Sequence, residues 1–441
     1  MKKHSKFVSV LGLVTLTLVG CSGGTSSSEK TDKGETKTSV TAGSSTQTPT
    51  QKEELVIASP STQQTWVKEK VESYLKANNL DNTYTVKMFT LGEGDANDGK
   101  TVPDWTASTA PDLYAYASDQ TLGLVGKGAL AEIPSTYSKE MITNMGDEVM
   151  AAAKVGTKYY GYPYAGDNGY FLYYNKSVFN GKEDKLEKLD DVVSVCKAAG
   201  LKVSYKLADT FFSTGLMFTF GARYNVTLST DAKSIASVTA DFNGANGMKA
   251  IKAMQSIVNN ADIDTTKDGQ KAPTVANKLG ATVDGSWNAS TYKEAMGDDY
   301  ACIKLPSVTV DGETKNIGSF LGYKLYGVNP SKGSSTTKLA ALHKLAYYLV
   351  SEEVEKARFN DLTIAPTLKS VKSLQVVQDT PHVKALAAQS EFSVAQTIVP
   401  NNIWTDATAP YSELIKDENK NADETKLQQI LDAYNTAVQT I

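Results

Sequence analysis

The stretch that most constrains this chain is Lys158 to Phe179, KYYGYPYAGDNGYFLYYNKSVF. Tyr159, Tyr160, Tyr162, Tyr164, Tyr170, Tyr173 and Tyr174 crowd into it, with Pro163 and the glycines 161, 166 and 169 where the backbone can bend. One apolar extended segment enters, the polar group Gly166-Asp167-Asn168-Gly169 interrupts, and a second apolar segment leaves. We read the stretch as a ribbon that carries the chain from one lobe to another through a shared hinge, with the polar break at the mouth of a cleft. The plainer alternative is a buried two-stranded ribbon whose rings are all core.

A chain of 441 residues exceeds one ordinary core, so two domains are expected. Its 41% hydrophobic and 21% charged residues suit a globular protein. The net charge is −4, and Lys2, Lys3 and Lys6 lie in a leader without acids, so the remainder is more acidic still. That balance argues against nucleic acid or an anionic membrane surface as partner. Cys196 and Cys302 are expected to be free thiols, although an extracellular setting would allow them to pair. His343 and His382 have no companion at ligand spacing, so neither a metal nor another cofactor is expected.

Residues 1–21, MKKHSKFVSVLGLVTLTLVGC, place lysines before an apolar run too short to span a bilayer, which is the form of a signal peptide. Leu18-Val19-Gly20-Cys21 resembles a bacterial lipobox, in which Cys21 becomes the lipidated N-terminus. An ordinary secreted protein cleaved nearby is the alternative. The Ser- and Thr-rich residues 22–52 contain no aromatic residue and read as a disordered tether.

From Leu55 the pattern alternates between strand and helix. LVIAS (55–59) is a buried strand, Ser61 and Thr62 offer a helix cap, and Val67, Val71, Tyr74 and Leu75 form a helical apolar stripe. TYTVKMFTL (83–91) alternates as a strand, completing a βαβ unit. Further strands are expected at 111–118, 201–208, before Trp287, at ACIKLPS and at 319–330. Helices are expected at 186–199, from Phe211, and at 245–260, 336–350, 351–360 and 423–440. The class is α/β.

Gly94-Asp-Ala-Asn-Asp-Gly99-Lys100-Thr101 satisfies the phosphate-loop pattern, but Asp95 and Asp98 would put carboxylates where phosphate belongs. A solvated loop is expected there. A calcium loop from Asp95, Asn97 and Asp98 lacks the usual sixth-position Gly and closing Glu. No GxSxG, HExxH or CxxC occurs.

YPYAGDNGYFLYYNKSVF resembles the crossover segment of bacterial extracellular solute-binding proteins of the maltose/maltodextrin type, with Tyr162-Pro163, Asp167 and Tyr174-Asn175-Lys176 as the matching pieces. Pro111-Asp112-Leu113-Tyr114-Ala115-Tyr116-Ala117-Ser118-Asp119 resembles the family strand that ends in an aromatic platform and an acid. Asp209-Thr-Phe211-Phe212 resembles a segment supplying an acid and an aromatic ring, and Asp284-Gly285-Ser286-Trp287 a glycine-proline-tryptophan turn with Ser in place of Pro. Pro400-Asn401-Asn402-Ile403-Trp404 resembles a loop that brings another Trp to the cleft; either Trp404 or Tyr411 would stack. The resemblance therefore implies ligand contacts from Gln63, Tyr116, Asp119, Tyr162, Asp167, Asn168, Asp209, Phe211, Phe212, Trp287, Trp404 and Tyr411. Trp66 reads instead as core.

It further implies a two-lobed periplasmic-binding-protein-like fold of type II, with lobes of 53–165 plus 317–368 and 166–316 plus 369–441. The implied function is non-enzymatic: capture of an oligosaccharide, a maltodextrin above all, by a monomer that delivers it to an ABC permease and touches the membrane through its N-terminal lipid only. The residue types fit such a ligand independently, since rings cover the CH face of a sugar while carboxylates and amides take its hydroxyls. Arg223 and Arg358 are the chain's only arginines, which disfavours an amino-acid or peptide ligand held by an Arg clamp. A binding protein for another oligosaccharide or small solute, or surface glycosidase chemistry from two facing carboxylates, are the rival readings.

Overall fold

Two strands connect everything else. The computed structural model describes residues 52–441 apart from 270, 333 and 334; Cys21 and nearly all of the tether lie outside the described residues. Within it, Tyr162–Asn175 is one strand of 14 residues, not two segments parted by a break. Its first half pairs antiparallel with Ser319–Val328, and its second half with Leu279–Gly285 and Tyr300–Ile303. The irregularity expected at Gly166–Gly169 appears as register shifts in the pairing with Ser319–Val328, on both sides of Lys324.

These strands form the middle of a ten-stranded sheet. On one side, Ser319–Val328 pairs antiparallel with Leu113–Ala117, which is followed by Glu53–Ser59 and Tyr84–Thr90, both parallel. The βαβ unit forms as expected, with helix Gln64–Ala77 burying Trp66, Val67, Val71 and Leu75. Ser61 and Thr62 do not cap it: they lie in a short 3-10 turn, Ser61–Gln63, closed by the Gln63 amide donating to the Pro60 carbonyl. On the other side, Leu279–Gly285 pairs parallel with Lys202–Tyr205.

Side-chain alternation along the shared strand divides it between cores. Tyr162, Tyr164 and Ala165 pack in a first hydrophobic core with Tyr323, Leu325 and Tyr326. Tyr170 and Leu172 belong to a second core with Phe320 and the helices Thr210–Met217, Ala245–Val258 and Glu424–Gln439. Phe171 and Tyr173, on the opposite face, join Tyr292, Tyr300 and Leu386 in a third, smaller core. Two hairpins, Tyr224–Leu228 with Ile235–Ala240 and Ser307–Val310 with Glu313–Asn316, are additions that the sequence pattern did not announce. Cys196 is buried, Cys302 half-buried, and both are free.

Behind the shared strand, a buried carboxylate holds the next segment in place. Glu355, on helix Glu352–Leu362, accepts the backbone amides of Thr367 (3.0 Å) and Leu368 (2.9 Å) and the Thr367 hydroxyl. The same Thr367 hydroxyl lies 3.2 Å from the Pro163 carbonyl, and the Gly166 amide donates to the Ala365 carbonyl. Burial pushes the Glu355 carboxyl up to about 7 against these donors. Glu355→Ala leaves several buried donors unpaired and should destabilise the protein by about 3 kcal/mol. Urea unfolding followed by tryptophan fluorescence checks this; an unchanged midpoint would contradict it.

Candidate ligand-binding site

The register shifts around Lys324 open onto a cavity of about 750 Å³. One wall is aromatic. Trp287 follows strand Leu279–Gly285 on a turn held by Asp284, which accepts from the Gly285 amide, the Asn288 side chain and the Tyr292 hydroxyl. A side chain at 285 would stand 2.2 Å from the Trp287 ring, so glycine there lets the indole fold back over the strand end. The ring remains 42% exposed, which sets it apart from Trp66, at 8%, whose indole N–H donates to Asp361. Phe211 lies 5.9 Å from Trp287 and 6.4 Å from Trp404, between centroids. It is placed by Asp209, whose carboxylate caps helix Thr210–Met217 by accepting the Phe211 amide.

The other wall is polar. Glu93, Asn97, Asp98, Asp119, Gln120, Asn168, Lys324 and Gln396 line it. Gln120 pins the 93–97 segment from both ends, donating to the Glu93 carbonyl and accepting the Asn97 amide. Asn168 donates to the Gln396 side chain at 2.8 Å, and Gln396 is fixed by backbone bonds to Ser118 and Leu321. Lys324 is buried, 3.4 Å from Asp167 and 3.8 Å from Glu93, with its ammonium 6.0 Å from the centre of the Trp287 ring. Glu93 also accepts from Tyr164 and Gln63. Burial raises the Asp167 carboxyl while Lys324 opposes the rise; burial pushes Asp119 up to about 6.

Of the residues expected at the site, Asp119, Asn168, Asp209, Phe211, Phe212, Trp287 and Trp404 line this cavity together. The others stand elsewhere. Tyr116 is fully buried in a strand covered on both faces, with its hydroxyl donating to the Tyr160 carbonyl. Tyr162 is core and bonds His343 at 2.7 Å, and Tyr411 is buried with its hydroxyl 3.3 Å from Thr265. Gln63 and Asp167 are one layer back, behind Glu93 and Lys324.

The sequence reading missed Glu93, Asn97, Lys324 and Gln396. A single lysine in the apolar run SFLGYKLYGV was the available signal for Lys324, because a charge inside a buried strand needs partners. The 92–101 loop is exposed at Gly94, Asp95, Asp98, Gly99 and Lys100, as expected of a solvated loop, and it also lends Gly94, Asn97 and Asp98 to the cavity wall. Its resemblance to a phosphate loop is formal only. Asp98 itself accepts the Lys100 and Thr101 amides and the Thr101 hydroxyl, which takes up the donors a phosphate would need.

A family model described as bacterial extracellular solute-binding protein matches residues 69–385. The galactooligosaccharide-binding protein of Bacillus subtilis (strain 168) is 28% identical over 316 residues, covering 69% of this chain and 72% of that protein. The maltodextrin-binding protein MdxE of the same organism is 25% identical over 388 residues, covering 83% and 87%. Among solved structures, the maltodextrin-binding protein of L. casei BL23, without ligand, superposes with a TM-score of 0.69 at 19% identity over 88% of this chain and all of that one. The fold is thus that of the two-lobed periplasmic binding proteins. Since the family match runs through both large cores and most of the cavity wall, the chain belongs to the bacterial extracellular solute-binding proteins.

Proposed function

We propose that this protein captures an oligosaccharide, a maltodextrin or a galactooligosaccharide, outside the cell and hands it to the permease of an ABC importer. The observation that carries the reading is the pairing within one cavity of an aromatic wall, Phe211, Trp287 and Trp404, with a wall of carboxylates and amides. A pyranose offers one apolar CH face and a rim of hydroxyls, and each wall suits one of them. The names of the two B. subtilis relatives agree with this class of ligand. Binding needs no covalent step. In this reading the lobes, 53–165 with 317–368 and 166–316 with 369–441, close over the ligand about the two shared strands.

A thermal-shift screen over malto- and galacto-oligosaccharides tests the reading, since ligand at 100 times its Kd adds about 2.7 kcal/mol to stability. No shift with any neutral oligosaccharide would contradict it.

The best ligand then tests the walls. Trp287→Ala should fold, because its ring is partly exposed, and should weaken binding at least tenfold, about 1.4 kcal/mol. Calorimetric titration measures this; affinity equal to wild type would remove Trp287 from the site.

The polar wall predicts a pH dependence. The Asp119 carboxyl titrates near 6, above its usual value, because of burial. The ionised form accepts sugar hydroxyls and the protonated form is the poorer acceptor. Affinity should therefore be steady between about pH 7 and 8 and fall as pH drops through about 6, by up to about tenfold per unit. In Asp119→Asn the same titration should be nearly flat; a flat wild-type profile would contradict the assignment.

Cys21 is proposed as the lipid anchor on the motif and the tether that follows it. Cys21→Ala should move the protein from the detergent phase to the aqueous phase or the medium. Identical partitioning of mutant and wild type would exclude the anchor.

A further inference from the structure

Buried acceptors without a hydrogen-bond partner include Asp119 Oδ1 on the cavity wall and, one layer back, Asp167 Oδ1 and Gln63 Oε1, of which Asp167 Oδ1 is ion-paired with Lys324. The orientation of Gln63 is fixed, because its Nε2 donates to Glu93. Asp167 is 3% exposed, and its nearest cation, Lys324, stands 3.4 Å away, shared with Glu93.

Charge on the wall has the same sense. Glu93, Asp98, Asp119 and Asp209 face the cavity, with Lys324 as the one cationic residue in its lining among the described residues. Asp98 and Asp209 are already satisfied, Asp98 by backbone amides and a hydroxyl and Asp209 by the Phe211 amide and by Lys206 at 3.2 Å. Asp119 has no such cation: its carboxyl is raised chiefly by burial, and the opposing contacts are hydrogen bonds from its own backbone and the Gln396 side chain. The wall therefore asks a ligand for donors, and a buried anion brought beside it would find like charge in a poorly solvated site.

We infer that the cavity discriminates by charge as well as by shape: it rejects saccharides carrying carboxylate or phosphate groups and accepts amino-substituted ones. A hydroxyl meets the need for a donor, an ammonium meets it with attraction added, and a uronate supplies only acceptors. This inference rests on the oligosaccharide reading and deepens it.

The test uses matched ligands on the full-length protein. The tighter binder of maltotetraose and a β-galacto-tetrasaccharide serves as parent. It is compared by calorimetry at pH 7.5 with its C6-oxidised uronate and its 6-amino-6-deoxy derivative, which keep length and linkage. The uronate should bind at least a hundredfold more weakly than the parent and the amine within tenfold of it or more tightly. Asp119→Asn should narrow the ratio between amine and uronate at least fivefold even if the parent's affinity also falls. Comparable binding of parent and uronate, an amine rejected as strongly as the uronate, or an unchanged ratio in Asp119→Asn would each overturn the inference. If neither neutral parent binds, the oligosaccharide reading itself fails, a result distinct from loss of discrimination.

Discussion

The structure depends on how two strands, Tyr162–Asn175 and Ser319–Val328, can serve two large cores at once. The ladder slips on both sides of Lys324, and the buried ammonium is compensated by Asp167 on the partner strand and Glu93 from the first core. A lysine this deep is costly unless it is paired, and its two carboxylates come from different segments. The ion trio therefore ties the first core, the shared strand and the cavity floor to one geometry.

From that floor the two walls follow. The second core presents rings, because the strand end at Gly285 and the cap at Asp209 leave Trp287 and Phe211 at its edge. The first core presents carboxylates and amides, because Gln120 and Ser118, just after strand Leu113–Ala117, draw the 93–97 segment and Gln396 together. Ligand capture in such an arrangement needs no group to change its bonds. In the proposed function the walls would meet around the ligand by a hinge movement about the two shared strands.

Most of the fold was legible in the sequence. Strand–helix alternation gave the βαβ unit, and the tyrosine-rich stretch identified the shared strand. The residues that line the cavity were legible where a ring stood after a tight turn, as at Trp287, or beside a helix cap, as at Phe211. They were not legible where a residue sat in a strand buried on both faces. Tyr116 lies in Leu113–Ala117, where every residue is buried, so a period of two cannot separate cavity from core. Tyr162 looked like a cleft residue but meets His343, which is 181 residues away in sequence. Gln396 reaches the cavity from a segment with no local signal, because only tertiary pairing with Leu321 and Asn168 brings it there.

The central claim is that the cavity between the aromatic and acidic walls is where the solute binds. A crystal structure with the best oligosaccharide tests it most directly. The account predicts a pyranose ring stacked on Trp287 or Trp404 and a sugar hydroxyl about 2.6–3.0 Å from Asp119 Oδ1. A sugar bound away from these residues, with Asp119 Oδ1 still unpaired, would contradict it.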